Sequence, residues 1–155
     1  MPEQERSLIA YEIWQKANER FDYFITGVTG AMCAYLVQTM KIQPISASPN
    51  TLELVSLGVL VFSTFAGAKR IEAAINVHRL NHVMLHHQEM RGNLLNSGDP
   101  GVAREAQIHG ELADKTRPMA DAEAKKTSRW GKGRNISLFA GVLIIIAAKI
   151  WAAYF

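Results

Sequence analysis

Three long stretches of the chain contain no charged residue, and this feature limits what the sequence can fold into. The stretches cover residues 23–40, 54–68 and 135–148. A bilayer core about 30 Å thick is crossed by about 20 mostly apolar residues in a helix that rises 1.5 Å per residue. Each stretch reaches that length when its flanking residues are included. A chain of 155 residues is too short to enclose three such helices in a soluble shell.

The predicted fold is therefore all-α, a polytopic membrane protein with three transmembrane helices and a cytoplasmic antiparallel helical hairpin. The predicted crossings are residues 21–40, 51–69 and 135–155, and an external loop of residues 41–50 joins the first two. The third crossing is the clearest, because apolar residues lie on every side of the helix. The first is the weakest, because threonine and glycine residues dilute it.

Residues 1–20 are predicted to form a cytoplasmic amphipathic helix. Leu8, Ile13 and Trp14 fall near one face, and charged residues fall elsewhere. Such a helix can lie in the headgroup zone or pack on the cytoplasmic hairpin, and the pattern leaves both alternatives open. No basic region leads directly into an apolar core, so we expect no cleavable signal peptide.

The distribution of lysine and arginine predicts the orientation of the chain in the membrane. Three of these residues precede the first crossing, one lies in the loop of residues 41–50, and twelve lie between Lys69 and Arg134. Basic residues near helix ends stay on the cytoplasmic side. We therefore expect a cytoplasmic N-terminus and an external C-terminus, and the absence of targeting signals favours a bacterial inner membrane.

Residues 70–134 are predicted to form the cytoplasmic hairpin. Apolar residues at helical spacing continue from the second crossing without a break, so that helix should run on out of the membrane. The turn is predicted at residues 96–101, where Gly, Asp and Pro residues cluster. Asp99 followed by Pro100 is typical of a helix start. Pro118 is expected to kink or restart the returning helix.

Small and polar residues form a stripe along each of the first two crossings, which we call the polar stripe. Spacings of three, four and seven residues place its members on one face of each helix. These residues either let helix backbones pack closely in lipid or line a water-filled path made by several copies. The polar stripe consists of Asp22, Thr26, Thr29, Gly30 and Cys33 on the first crossing and of Glu53, Ser56, Ser63 and Gly67 on the second.

Two charged residues lie within the predicted crossings near their outer ends. Glu53 is about one helical turn below the outer boundary, and Lys149 is about six residues from the outer end. Charged groups in a bilayer are costly and mark candidate sites. We expect Glu53 and Lys149 to form an intramembrane ion pair that links the second and third crossings. The alternative is that each side chain extends separately to the outer headgroups.

The segment just before the third crossing is strongly basic. Each basic residue beside a membrane attracts anionic headgroups by about 1 kcal/mol, and tryptophan suits the interface. The candidate contacts with anionic lipid are Lys125, Lys126, Arg129, Trp130, Lys132 and Arg134. Nucleic acid is not an expected partner, because the net charge is only +3 and acids alternate with bases along the hairpin.

Histidines cluster on the first arm of the hairpin. A spacing of four residues places His78, His82 and His86 along one side, and a pair at that spacing can bind a transition metal. A solvated polar face is the favoured interpretation, because one helix rarely supplies a full set of ligands. A pH-sensing role is a further alternative, since histidine changes its charge near neutral pH. We expect no cofactor.

The sequence contains no catalytic signature. Phosphate-binding, dinucleotide-binding and nucleophile-elbow motifs are absent, and the lone cysteine, Cys33, lies in a predicted crossing without a histidine at its depth. We therefore expect no enzymatic activity. The first hypothesis is a homo-oligomer that forms an ion channel or gated pore, with the hairpin as its assembly or sensing domain. The alternative is a non-catalytic scaffold or accessory subunit whose hairpin docks on other membrane subunits.

Overall fold

Nearly all described residues of the chain belong to helices. The computed structural model describes the backbone of residues 3–40, 48–97 and 100–154, and the side chains of residues 15–40, 48–97 and 101–154. Within these ranges the secondary structure is helical apart from short connections, and no strand occurs. The predicted all-α fold is confirmed.

Three long helices occur in the part of the chain that the structure describes. Helix α1 spans Glu3–Thr39, α2 spans Pro49–Asn96, and α3 spans Ala103–Tyr154. A short 3-10 turn, Pro100–Val102, precedes α3. Helix α2 begins at a proline that follows Ser48, an arrangement typical of helix starts because proline lacks the N–H that would be left without a partner there.

The helices are more continuous than the predicted segments. Helix α1 joins the predicted amphipathic segment and the first predicted crossing in one element. Helix α2 runs without interruption from the second predicted crossing into the first arm of the hairpin. Helix α3 continues through Pro118 and does not restart there, although an interior proline removes one backbone donor and crowds the carbonyl four residues earlier. Asp99 and most of the predicted external loop lie outside the described residues.

Two of the helices, α2 and α3, are long and apolar enough to cross a membrane. Only 33% of the apolar stretch of α2 and 17% of that of α3 is buried inside the protein. The core helix of a soluble protein would be mostly buried. Both helices are therefore less buried than the core helix of a soluble protein. A crossing by α1 stays a prediction.

Unit 1, one of two compact units in the chain, consists of Met1–Ile71 and Trp130–Phe155. Its buried residues include the apolar side chains of Leu36, Leu60 and Ala148, and an unusual share of them is polar or charged. Many large apolar side chains of this unit are exposed. The interior of unit 1 is therefore more polar than its surface, the reverse of a soluble domain.

Unit 2, Glu72–Arg129, is a pair of helices formed by parts of α2 and α3. The Arg91 guanidinium lies against Gly110, with Nη1 3.3 Å from the position that a Cβ would take there. Nδ1 of His87 lies 2.9 Å from Nδ1 of His109. Among the described residues, every buried apolar side chain of unit 2 is an alanine: Ala73, Ala106, Ala113 and Ala120. The helix pair therefore buries little apolar area of its own.

Candidate functional site

A buried ion cluster joins the three helices within unit 1. Arg134 on α3 donates a hydrogen bond from Nη1 to Asp22 Oδ1 on α1 at 2.7 Å. Arg70 Nε on α2 lies 3.0 Å from the other carboxylate oxygen. Arg134 also donates from Nε to Asn135 Oδ1 at 3.1 Å. Two guanidinium groups thus face one carboxylate, and the cluster carries one more positive charge than negative.

Burial makes this cluster costly to disturb. Arg134 is only 1% exposed and Asp22 only 6%. Arg70 Nε is also buried, and although it is close to Asp22 it has no aligned hydrogen-bond acceptor. An ionised group that is removed from water needs an opposite charge beside it. Asp22 supplies that charge for Arg134, so the position of α3 depends on one acidic residue of α1.

Two glycines make room for the arginine side chains. A Cβ at Gly67 would lie 2.5 Å from Thr26 Oγ1 and 3.3 Å from Arg134 Cδ. A Cβ at Gly131 would lie 2.8 Å from Arg70 Nη1. Arg134 therefore passes α2 at Gly67, and Arg70 passes α3 at Gly131. Within its own helix, each glycine precedes an arginine by three residues.

Sequence spacing does not reveal this cluster. In the sequence, Asp22 belongs to the polar stripe, Arg134 belongs to the predicted lipid-contact segment, and Arg70 has no assigned role. The available signal is the repeated Gly-x-x-Arg pattern at residues 67–70 and 131–134. The pattern shows that an arginine and a small residue share a helix face. It does not show which acid the arginines meet, because that depends on how three helices are aligned.

The polar-stripe residues of α2 contact α3. Ser56 Oγ donates to the backbone carbonyl of Gly141 at 2.8 Å, and Ser63 Oγ donates to that of Arg134 at 3.0 Å. Both serines are fully buried. Moving seven residues forward on α2 corresponds to moving seven residues back on α3. The two helices are therefore antiparallel and held in one register by side-chain to backbone hydrogen bonds.

The polar-stripe residues of α1 are satisfied mainly by their own helix. Thr26 and Thr29 donate to backbone carbonyls four residues earlier, at 2.8 and 2.7 Å. Thr29 is fully buried, while Gly30 and Cys33 are half-buried. A threonine hydroxyl that bonds to its own helix needs neither water nor a second chain as a partner.

The polar stripe is thus used for packing within one chain. Residues that line a water-filled path must expose their polar atoms to that path. The buried members of the stripe, however, contact other residues of unit 1: they are Asp22, Thr29, Glu53, Ser56 and Ser63. The burial of these residues fits the packing interpretation. The pore hypothesis stays a prediction.

Glu53 and Lys149 meet at the opposite end of unit 1 from the Asp22 cluster. Lys149 Nζ donates to Glu53 Oε1 at 2.5 Å. The Glu53 side chain is 10% exposed and the Lys149 side chain is 60% exposed. The structure thus brings together the two residues that were expected to pair, with the carboxylate inside the unit and the ammonium group at its surface.

The predicted lipid-contact segment is divided between surface and interior. Trp130 packs edge-on against Phe65, with ring centroids 5.9 Å apart. The predicted lipid contact of Arg134 is corrected, because its guanidinium is buried against Asp22 and is not available to headgroups. The exposed basic residues of the segment are Lys125, Lys126, Arg129 and Lys132. Lipid contact by these four side chains stays a prediction.

The histidines of α2 do not assemble into a set of metal ligands. His78, His82 and His86 are exposed. His87 turns toward α3, where its Nδ1 and that of His109 share a hydrogen bond. No group of three or more His, Cys, Asp or Glu side chains that could hold a metal ion comes together among the described residues.

The chemistry of the described residues consists of fixed charges and interhelical hydrogen bonds. One ion cluster and one ion pair lie in unit 1, and a histidine pair lies in unit 2. These contacts connect the helices within each unit. No protein-family model matches the chain, and no curated protein or solved structure is significantly similar to it.

Proposed function

We propose that the chain is a non-catalytic membrane scaffold or accessory subunit. Unit 1 anchors it in the membrane through three crossings, and unit 2 is a cytoplasmic docking module. The N-terminus is cytoplasmic, the C-terminus is external, and the membrane is a bacterial inner membrane. The proposal rests on one observation: ion contacts lie at the two ends of an apolar band in unit 1.

The length of this band fits a bilayer. Arg70 and Glu53 are 17 residues apart on α2, and Arg134 and Lys149 are 15 residues apart on α3. At 1.5 Å per residue these separations are about 26 and 23 Å. Apart from Lys69, no charged residue lies between the two ends on either helix. The hydrocarbon core of a bilayer is about 30 Å thick, so each ion contact falls near one boundary.

The surface of the band is apolar on all three helices. On a soluble protein such a surface would far exceed the few hundred Å² of contiguous apolar area that is usual, whereas lipid covers it at no cost. The contribution of α1 supports a first crossing, although that helix is less apolar than the others. Exposed large side chains include Phe24, Tyr35 and Val37 on α1, Val61, Phe62 and Phe65 on α2, and Ile136, Phe139 and Leu143 on α3.

The internal contacts of unit 1 favour a scaffold over a pore. The serine hydroxyls of α2 are bonded to α3, and the charged groups at each end are paired within the chain. An anchor needs stable helix packing, which these contacts supply. A docking module needs accessible surface, and both helices of unit 2 expose large side chains.

The membrane part of the proposal is tested by fractionation. We expect the full-length chain to sediment with membranes, to resist extraction at alkaline pH and to require detergent for solubilisation, because lipid covers the apolar band. Recovery of folded protein from the soluble fraction without detergent would overturn this part.

The scaffold part is tested by co-purification and by ion flux. At native expression level, mild detergent should recover a second membrane protein in stoichiometric amount with this chain. Liposomes that contain the purified chain should retain ions as well as protein-free liposomes do. Ion flux that rises with the amount of protein would restore the pore hypothesis, and recovery of this chain without any second protein would contradict an accessory role.

A further inference from the structure

Unit 2 exposes a set of large apolar side chains that we call its apolar face. On α2 these residues fall within an arc of about 80°, and on α3 within about 40°, at 100° per residue. Their exposed fractions lie between 37% and 58%. The apolar face consists of Ile75, Val83 and Met90 on α2 and of Ile108, Leu112 and Met119 on α3.

Both halves of the apolar face lie on the same side of the helix pair. On α2, Met90 stands one position before Arg91, which lies over Gly110 of α3. On α3, Leu112 stands one position before the buried Ala113. The two helix axes define a plane, and a twofold axis perpendicular to this plane relates the two antiparallel helices. This rotation exchanges the helices but does not move a side chain from one side of the plane to the other. An equal offset from the contact on both helices therefore puts both halves on one side.

The other side of the helix pair is mainly polar, with Leu85 and Leu95 as exposed apolar exceptions. Its exposed residues include Gln88 on α2 and Gln107, Asp114 and Asp121 on α3. Unit 2 is therefore amphipathic as a whole, with a contact layer that contains only small apolar side chains. A helix layer that is apolar on one side needs a second layer to cover that side.

We propose that the apolar face of unit 2 binds the same face of a second copy of the chain, so that two hairpins form a four-helix bundle. The inference rests on the proposed scaffold function and assigns one face of its docking module to self-pairing. A twofold axis parallel to the helices sets α2 of one copy beside α3 of the other. Every neighbouring pair of helices is then antiparallel, which is the arrangement of up-down-up-down bundles.

Charges along the apolar face complement each other under this symmetry. Arg79 and Glu123 line one groove of about 330 Å³ together with Val83, so they lie at the same height along the helix pair. Within one copy, Glu123 also forms an ion pair with Lys126 at 2.5 Å. In the bundle, Arg79 of one copy faces Glu123 of the other. This contact occurs twice because the interface is isologous.

The apolar area also favours pairing. The contact within one hairpin buries four alanine side chains, whereas pairing withdraws six large apolar side chains per copy from water. The hydrophobic contribution grows with apolar area removed from water. The second layer therefore supplies most of the apolar core that unit 2 lacks as a single hairpin.

The test compares two glutamate substitutions in the full-length chain. Met119 lies on the apolar face and Leu85 lies on the other side, and both are 58% exposed. We expect Met119→Glu to weaken dimerisation by about tenfold or more, since a charge would be buried at the centre of the interface. Leu85→Glu should leave the dimer intact. Mass measurement in mild detergent at several protein concentrations gives the dissociation constant, and circular dichroism checks that helix content is kept.

Cysteine variants that leave the face apolar give a second test if Met119→Glu loses helix content. In a Cys33→Ser background, differently tagged copies that carry Val83→Cys or Met119→Cys are mixed in one membrane. A short bismaleimide should join the two kinds of copy, and it should not join copies in which Leu85→Cys replaces Val83→Cys. Equal cross-linking of both combinations overturns the inference.

The outcomes separate this inference from the proposed function. A chain that is monomeric at all concentrations, or that Leu85→Glu dissociates as strongly as Met119→Glu, overturns self-pairing. If the chain is monomeric but a different membrane protein co-purifies with it, the scaffold proposal is still supported. Conversely, a chain that dimerises through this face and fractionates as a soluble protein refutes the membrane anchor and leaves self-pairing in place.

Discussion

At the scale of single residues, the buried charge of Arg134 is expected to affect the free energy of unfolding most. It is 1% exposed, and its guanidinium depends on the carboxylate of Asp22. The net value of a buried ion pair relative to apolar residues is small, but loss of one partner leaves a buried charge without compensation. The Asp22 carboxylate also lies beside Arg70, so one acid connects α1 to both of the other helices.

Removal of this acid should therefore destabilise the protein strongly. We expect Asp22→Asn to lower the free energy of unfolding by about 3–5 kcal/mol, because the Arg134 charge stays buried. Thermal unfolding and denaturant titration in mild detergent measure the change. The control is Glu111→Gln, an exposed acid that accepts a hydrogen bond from Gln107, where we expect a change within about 0.5 kcal/mol. Equal small effects of both substitutions would show that Asp22 is not the required counter-ion.

At the scale of helices, continuity and approximate depth could be predicted from the sequence, whereas contacts between helices could not. The absence of helix breakers indicates that α2 continues beyond its apolar stretch, and counting residues from the helix ends brings Glu53 and Lys149 to similar depths. The burial of Arg134 lies beyond such counting. This burial depends on how α3 is rotated about its own axis. The hydrogen bond from Ser63 and the close contacts at Gly67 and Gly131 fix that rotation.

Glycines determine how closely α2 and α3 approach. A Cβ at Gly141 would lie 2.7 Å from Leu60 Cδ2 and 2.8 Å from Leu60 Cγ, and Leu60 is fully buried. A Cβ at Gly58 would meet no atom within 4 Å. The two positions belong to the same unit but differ in the space beside the backbone. They therefore form a matched pair for testing the helix contact.

We expect Gly141→Ala to lower the free energy of unfolding by about 1–3 kcal/mol, because the added methyl group forces α2 and α3 apart. Gly58→Ala should be neutral or stabilising by up to about 1 kcal/mol, since alanine favours the helix. The measurement is denaturant unfolding in mild detergent. The double variant Gly141→Ala/Leu60→Ala should lose less stability than the sum of the two single losses, because the smaller side chain leaves room for the added methyl group. A loss equal to that sum would contradict this contact.

At the scale of the whole molecule, the two units differ in the kind of surface that they expose. Unit 1 keeps its polar groups inside and exposes apolar side chains, as expected for protein in contact with lipid. Unit 2 carries charges over most of its surface and has most, but not all, of its exposed large apolar side chains on one face. The predicted orientation follows from the positions of basic residues, most of which lie between Lys69 and Arg134.

This orientation predicts which positions a membrane-impermeant maleimide can reach in intact cells. In a Cys33→Ser background, Asn50→Cys and Ala153→Cys should be labelled from outside, and Ser97→Cys only after permeabilisation. The native Cys33, half-buried within the apolar band, should react only in denatured protein. Labelling of Ser97→Cys and Ala153→Cys from the same side would mean that α3 does not cross the membrane. If Asn50→Cys is not labelled in intact cells, the predicted crossings by α1 and α2 are both contradicted, because both require the connection between these helices to be external.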